Sequence, residues 1–188
     1  MADQGTEGLL SSFLRSQRIK AAKPYLKGKV LDIGCGTGIL ANTIPPERYL
    51  GIDIDRESLQ LARVTHPEHH FESAFPPSSE KKFDTIVALA VIEHIANPTA
   101  FLFDLSKLLS KSNESSIVIT TPHPSMDWIH AFGVTLGLFS KHANEEHEEL
   151  LDKLKINKIA QRCNLEVNLY QRFLFRANQL IVLKRKQI

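Results

Sequence analysis

The run Val30-Leu31-Asp32-Ile33-Gly34-Cys35-Gly36-Thr37-Gly38-Ile39-Leu40 decides how the rest of the chain is read. It opens as a short apolar stretch of the kind that forms a buried strand. Glycines at alternate positions then permit a sharp turn and a close approach of backbone to a ligand, because no Cβ obstructs either. A short helix reaching Asn42 follows, and its free N–H groups and positive dipole end would face whatever the turn holds. Gly34 to Gly38 is thus a ligand cradle whose occupant must be read from the rest of the chain.

Upstream, Leu9, Leu10, Phe13, Leu14, Ile19, Ala22 and Leu26 give an amphipathic helical spacing that Pro24 bends or ends. The first strand covers Lys29 to Ile33. Downstream, Tyr49 to Asp55 reads as a second strand, with Asp55 capping a helix from Arg56 to Val64. A weaker strand lies around His69 to Glu72, and Phe83 to Leu89 is an apolar, β-branched central strand. Asn97-Pro98 is an N-cap followed by proline at the first helical position. Ser116 to Thr121 forms the fifth strand. A helix from Glu145 to Cys163 and two β-like runs, Leu165 to Tyr170 and Arg172 to Leu183, then suggest a hairpin closing the sheet edge. Strands separated by helices imply right-handed crossovers and a mostly parallel α/β sheet.

The chain has 188 residues, enough for one domain burying about 70% of its unfolded surface. Its parts are expected to be an N-terminal helix over 1–27, a cofactor-binding core over 28–121, a lid over 122–144, and a closing helix and hairpin over 145–188. A net charge of +2, without a basic stripe carrying interleaved aromatics, does not indicate nucleic acid. Lys184-Arg185-Lys186 reads as a solvated end. Cys35 and Cys163 match no metal-ligand spacing and read as reduced thiols of a cytoplasmic protein. The N-terminus is not a secretory signal, and no apolar run is long enough to span a membrane.

In an open parallel sheet, ligands bind beyond the carboxyl ends of the strands. Asp32 to Gly38, Asp53, and Ala88 to His94 all sit at such ends and should converge. Asp53 lies 17 residues beyond Gly36, where a carboxylate can accept two ribose hydroxyl hydrogens. A dinucleotide fingerprint needs G-x-G-x-x-G, and here Ile39 stands where the third glycine belongs. Asp32, two residues before the first glycine, suits a ligand with positive charge, an ammonium or sulfonium. The pattern disfavours a nicotinamide dinucleotide.

Val30 to Gly38 resembles motif I of the class I S-adenosylmethionine-dependent methyltransferases, and Gly51-Ile52-Asp53-Ile54 resembles their post-I motif. Phe83 to Val87, running on to Val91-Ile92-Glu93-His94-Ile95, is similar to the fourth-strand motif of the subgroup with the ubiquinone-biosynthesis methyltransferases. The resemblance implies a Rossmann-like doubly wound, mostly parallel seven-stranded sheet with a C-terminal antiparallel hairpin. It implies S-adenosylmethionine as methyl donor and S-adenosylhomocysteine as product. On that basis Gly34, Cys35, Gly36 and Gly38 wrap the methionine portion and ribose, and Asp53 and Ile54 form the post-I contact. The backbone at Ala88, Leu89 and Ala90 takes the ammonium, and Asp32 acts through the loop or a water. Glu72 or Ser73 stands where the family receives the adenine amino group.

His94, after Glu93 at the end of strand four, is a candidate base near the acceptor, as is His123 beyond strand five. Each also reads as an ordinary structural or surface histidine. The metal-binding E-x-x-E-H pattern of small-RNA methyltransferases is broken at Ala90, so no metal is expected; Glu93, which also reads as the partner of a nearby N–H, is with His94 and His123 the less favoured alternative ligand set. His66, His69 and His70 read as a solvent-exposed cluster. Trp128, Phe132, Leu136 and Phe139 suit a cover over an acceptor pocket, and equally ordinary core packing or a docked apolar surface. A small-molecule acceptor is expected. The competing functions are a cofactor-binding regulatory or interaction protein and a nicotinamide-dependent oxidoreductase.

Overall fold

A computed structural model describes residues 4–77, 82–124 and 151–186, with side chains from Ser11 onward. In chain order the elements are α1 (Gln4–Ala22), β1 (Val30–Ile33), β2 (Tyr49–Ile52), α2 (Arg56–Thr65), β3 (His70–Glu72), β4 (Thr85–Leu89), α3 (Pro98–Leu108) and β5 (Ser116–Pro122). The chain closes with α4 (Lys153–Arg162), β6 (Leu165–Phe173) and β7 (Asn178–Arg185). Seven strands form one sheet in the order β3-β2-β1-β4-β5-β7-β6. The strands from β3 to β5 pair in parallel, whereas β7 runs antiparallel to both β5 and β6. The expected doubly wound sheet with a closing antiparallel hairpin is therefore present.

Every residue of β1 and β2 is buried, which is why neither alternates between apolar and polar positions; Asp32 alone among them carries a charged group. Side chains leave the sheet on alternate faces and build two cores. Leu31, Ile86, Ile117 and Ile181 join Leu102 and Leu105 of α3 and Ile156 of α4 on one face. Val30, Val87, Val118 and Leu180 meet Ala22 of α1 and Leu59 and Ala62 of α2 on the other. The order of the strands reverses between β1 and β4, so the carboxyl ends of these two strands open the crevice where ligands bind in such sheets.

Several boundaries differ from the sequence reading. α1 stops at Ala22, and Pro24 enters a separate 3-10 turn, Lys23–Tyr25. After Gly38 the chain forms only a five-residue 3-10 segment, Ile39–Thr43, so no α-helical dipole stands behind the cradle. α4 begins at Lys153, not at Glu145. Asp152 is extended and its carboxylate accepts the Lys155 N–H at 2.8 Å, a cap that sets the helix start. The expected lid residues Trp128, Phe132, Leu136 and Phe139, and residues 145–150, lie outside the described residues.

The hairpin turns at residues 174–177, several positions beyond Gln171. An irregularity between Val167 and Leu169 shifts the alternation of β6. Leu174, Phe175 and Arg176 then take left-handed backbone angles, φ 50°, 52° and 69°, without the glycine that usually marks them. Nor is the basic cluster near the C-terminus simply solvated. Arg185 donates from Nη2 to the carbonyls of Ser106 at 2.6 Å and Leu109 at 2.9 Å, covering the carboxyl end of α3. No helix among the described residues is long and apolar enough to cross a membrane.

Candidate functional site

At the switch point the glycine turn is fastened to the end of β2. Gly34 and Cys35 donate their N–H groups to the Ile52 carbonyl at 2.8 and 3.0 Å. Gly36 donates to Asp53 Oδ2 at 2.7 Å, while Asp53 Oδ1 accepts the Asp55 N–H at 3.0 Å. Gly34, Gly36 and Gly38 all have positive φ, at 68°, 52° and 79°. Their surroundings separate their roles. A Cβ on Gly38 would lie 2.9 Å from the Phe71 ring, and one on Gly34 would lie 2.5 Å from Val91 Cγ2. A Cβ on Gly36 would meet nothing within 4 Å. Gly34 and Gly38 therefore hold the turn against the protein, and Gly36 faces open space.

Asp53 carries unused lone pairs on both oxygens, since a carboxylate offers about four acceptor sites. Beside it Ile54 is 90% exposed, an apolar side chain presented at the mouth of the site. Glu72 and Ser73 end β3 next to Asp53, whose N–H donates to the Glu72 carbonyl at 3.3 Å. Across the crevice, Ala88 is fully buried and paired with Ile33 and Ile119, so the cleft is faced by the chain at Leu89 and Ala90. Ala90 adopts φ 59° and donates its N–H to the Thr120 carbonyl at 2.8 Å. The convergence expected of the first, second and fourth strand ends is realised.

Asp32 lies beneath this turn, 3% exposed, and accepts a hydrogen bond from the Tyr49 hydroxyl at 2.8 Å. Burial pushes its carboxyl up to about 7, against the lowering effect of the Tyr49 bond, and the charge of Asp53 adds to the rise. Burial also drives the Tyr49 hydroxyl and the Cys35 thiol upward, so both keep their protons. Unfolding releases Asp32 to an ordinary carboxyl value of about 4. Between those two values folding takes up a proton, so stability falls as pH rises from about 4 to about 7. Asp32→Asn carries no such linkage. It is expected to match the wild type near pH 4 and to melt several degrees higher near pH 8; equal melting temperatures near pH 8 would rule out the buried titration.

The histidines divide differently from the sequence reading. His66 is buried rather than solvent-exposed, and His69 is half-buried with its Nε2 2.9 Å from the Ile44 carbonyl oxygen. With Tyr49 and Phe71 they form an edge-packed ring cluster behind the glycine turn. Burial and neighbouring His69 lower the pKa of His66, which suits a neutral packed ring. Only His70 of the three is exposed. His94 ends a 3-10 turn, Ile92–His94, with its side chain exposed. His123 is half-buried beyond β5, with its pKa lowered by burial and by Arg172.

Sequence reading passed over Thr120 and Asn178, gave Arg18 no part in a site, and weighed Glu93 as the partner of a nearby N–H or, with His94 and His123, as a metal ligand. Arg18 of α1 donates from Nε to Asn178 Oδ1 of β7 at 3.3 Å, bringing together residues 160 positions apart. Periodicity placed Arg18 in a helix but held no signal for the strand that it covers.

Residues 9–169 match the family described as a methyltransferase domain. The chain is 30% identical over 98 residues to a ubiquinone biosynthesis O-methyltransferase of Pelagibacter ubique, a match covering 48% of this chain and 41% of that protein. It is 24% identical over 165 residues to the protein of that name from Rickettsia conorii, covering 82% and 56%. It thus spans about half the length of these curated relatives. Among solved structures it resembles magnesium protoporphyrin IX methyltransferase from Synechocystis, with a TM-score of 0.61, 17% identity, and 96% of this chain and 84% of that one covered. A methyltransferase from Clostridium acetobutylicum gives a TM-score of 0.63, 13% identity and coverage of 90% and 89%. At these identities the structures speak for the fold.

Proposed function

Because the chain belongs to the methyltransferase-domain family and resembles its class I S-adenosylmethionine-dependent members, we propose that it transfers a methyl group from S-adenosylmethionine to a small-molecule acceptor. The observation that carries this reading is the open space at Gly36, fastened by its own N–H to the carboxylate of Asp53. The residues present fit the donor. Gly36 admits the ribose and methionine portion without a Cβ, and the remaining lone pairs of Asp53 receive the two ribose hydroxyls. Ile54 offers an apolar surface to the adenine face, with Glu72 or Ser73 at its edge. The chain at Leu89 and Ala90 takes the ammonium, and Asp32 beneath the turn supplies the opposite charge.

The donor supplies a methyl group on cationic sulfur, already activated for displacement. The protein's task is then to align an acceptor with the C–S bond and to exclude water. Cys35 has no redox part in this, its thiol being held protonated inside the turn. Two unpaired cysteines suit the reducing cytoplasm, where we place the protein. Calorimetric titration is expected to show saturable binding of S-adenosylhomocysteine and none of NAD. Binding of NAD alone would overturn the reading in favour of an oxidoreductase.

A further inference from the structure

Three buried side-chain atoms have no hydrogen-bond partner among the described residues: Glu93 Oε2, Thr120 Oγ1 and Asn178 Nδ2. They belong to one place. Thr120 pairs with Leu180 and Pro122 with Asn178, so Thr120 and Asn178 project from adjacent strands on the same face of the sheet. Both are fully buried. Arg18 covers that face through its bond to Asn178 Oδ1 and interacts electrostatically with Glu93. Glu93 also hydrogen-bonds the side chain of Thr121 at the carboxyl end of β5.

This niche adjoins the cradle. Val91, two residues before Glu93, packs against Gly34, and the Thr120 carbonyl accepts the N–H of Ala90. An unpartnered buried polar atom costs about 1–3 kcal/mol, and native proteins leave few of them. Three such atoms gathered beside a ligand cradle call for a ligand that completes them. The groups differ in kind: a carboxylate oxygen that only accepts, an amide that donates and a hydroxyl that does either. A carboxylate aimed at the acceptor is needed only where the acceptor must lose a proton as it is methylated, which points to a hydroxyl group. A neutral amine can be methylated first and lose its proton afterwards.

We propose that this niche receives the methyl acceptor through a hydroxyl group, and that Glu93 takes the hydroxyl proton while Asn178, Thr120 and Arg18 hold the acceptor's other polar atoms. The inference rests on the assignment of S-adenosylmethionine to the cradle. In the transfer, a lone pair on the acceptor oxygen forms the new O–C bond, and the electron pair of the C–S bond stays on sulfur. The hydroxyl proton passes to Glu93 Oε2, and the O–H bonding pair remains on the acceptor oxygen. A sulfonium and a carboxylate become a neutral thioether and a neutral carboxylic acid, so the opposite charges brought by the donor and by Glu93 cancel in the transfer. The charged groups facing Glu93 are Arg18 from α1, with Arg15 behind it, and the adjacent His94. These cations favour the carboxylate, and burial opposes them and raises the pKa overall.

The test measures binding and needs no acceptor. Dissociation constants of S-adenosylmethionine and S-adenosylhomocysteine are determined by calorimetry across a pH series on the full chain. The two ligands share every group except the methyl and its positive charge; because Asp32 lies under the same cradle with its carboxyl raised to about 7, the series is run in the Asp32→Asn background, so that Asp32 does not respond to that charge as well. A sulfonium beside Glu93 favours its ionised form, so binding the methyl donor expels a proton. The preference for S-adenosylmethionine is then expected to rise about tenfold as the pH is raised through the range in which Glu93 ionises, above the ordinary carboxyl range. It should be independent of pH once Glu93→Gln is added. A flat ratio in the Asp32→Asn background, or a rise that survives Glu93→Gln, overturns the proposal. Absence of S-adenosylhomocysteine binding to the wild type would instead overturn the donor assignment.

Discussion

Asp53→Ala is expected to weaken S-adenosylhomocysteine binding by about 100-fold or more while leaving the fold in place. Asp53 lies in the loop beyond β2, outside both cores, and among the described residues its side chain holds the N–H groups of Gly36 and Asp55. Truncation removes the acceptor for two ribose hydroxyls and frees the turn at the one glycine that faces open space. Two hydrogen bonds to a charged group are together worth about 3–4 kcal/mol, which converts to that range of affinity. Asp53→Asn keeps one acceptor oxygen and should lose about tenfold. Calorimetry reads the affinities, and thermal melting separates them from any loss of fold. Near-wild-type affinity in the alanine variant would mean that the ribose lies elsewhere.

The geometry of the glycine turn and of the strand ends around it was legible because it is local. Asp32, the three glycines and Asp53 occupy two strand–loop units, and each performs its part through chain geometry that a short motif encodes. The sheet was legible for the same reason, since β1, β2, β4 and β5 are almost wholly buried and are mainly apolar or β-branched rather than alternating. Short-range capping was equally visible: Asp55 and Asn97 cap α2 and α3 as their positions predict.

What sequence could not show is built from residues far apart. Tyr49 meets Asp32 across parallel strands, a pairing set by register. His66 and His69 looked polar in a polar connection, yet the return of β3 to the sheet edge packs them against Phe71 and Tyr49. Arg185 looked like part of a charged end until the antiparallel β7 brought it beneath α3. The niche around Glu93 draws on α1, β5 and β7, and only the sheet order β4-β5-β7 unites its parts. The proposed donor cradle is thus encoded within two neighbouring strand–loop units, whereas the proposed acceptor niche is assembled from elements distant in the chain.

Gly34→Ala tests how these two halves are joined. Gly34 has φ 68°, and an added Cβ would stand 2.5 Å from Val91 Cγ2. Two costs follow from different sources. A left-handed backbone at an alanine costs about 1–2 kcal/mol, and overpacking against Val91 adds about 1–3 kcal/mol. The total destabilisation is expected to be about 2–5 kcal/mol, read from the denaturation midpoint. The contact is with a short branched side chain at the start of the Ile92–His94 turn, so it cannot be relieved by rotating a distant tip. Val91→Ala in the same chain removes the methyl groups in conflict and should recover the packing share, leaving the backbone share in place. That partial rescue is the decisive result, because a purely conformational penalty at Gly34 would be indifferent to Val91. The same double variant should regain S-adenosylhomocysteine affinity, since the clash displaces either the cradle or the chain at Leu89 and Ala90. If Val91→Ala and Gly34→Ala instead add independently, the cradle and the end of β4 are not mechanically coupled, and the placement of the acceptor niche against the donor loses its structural basis.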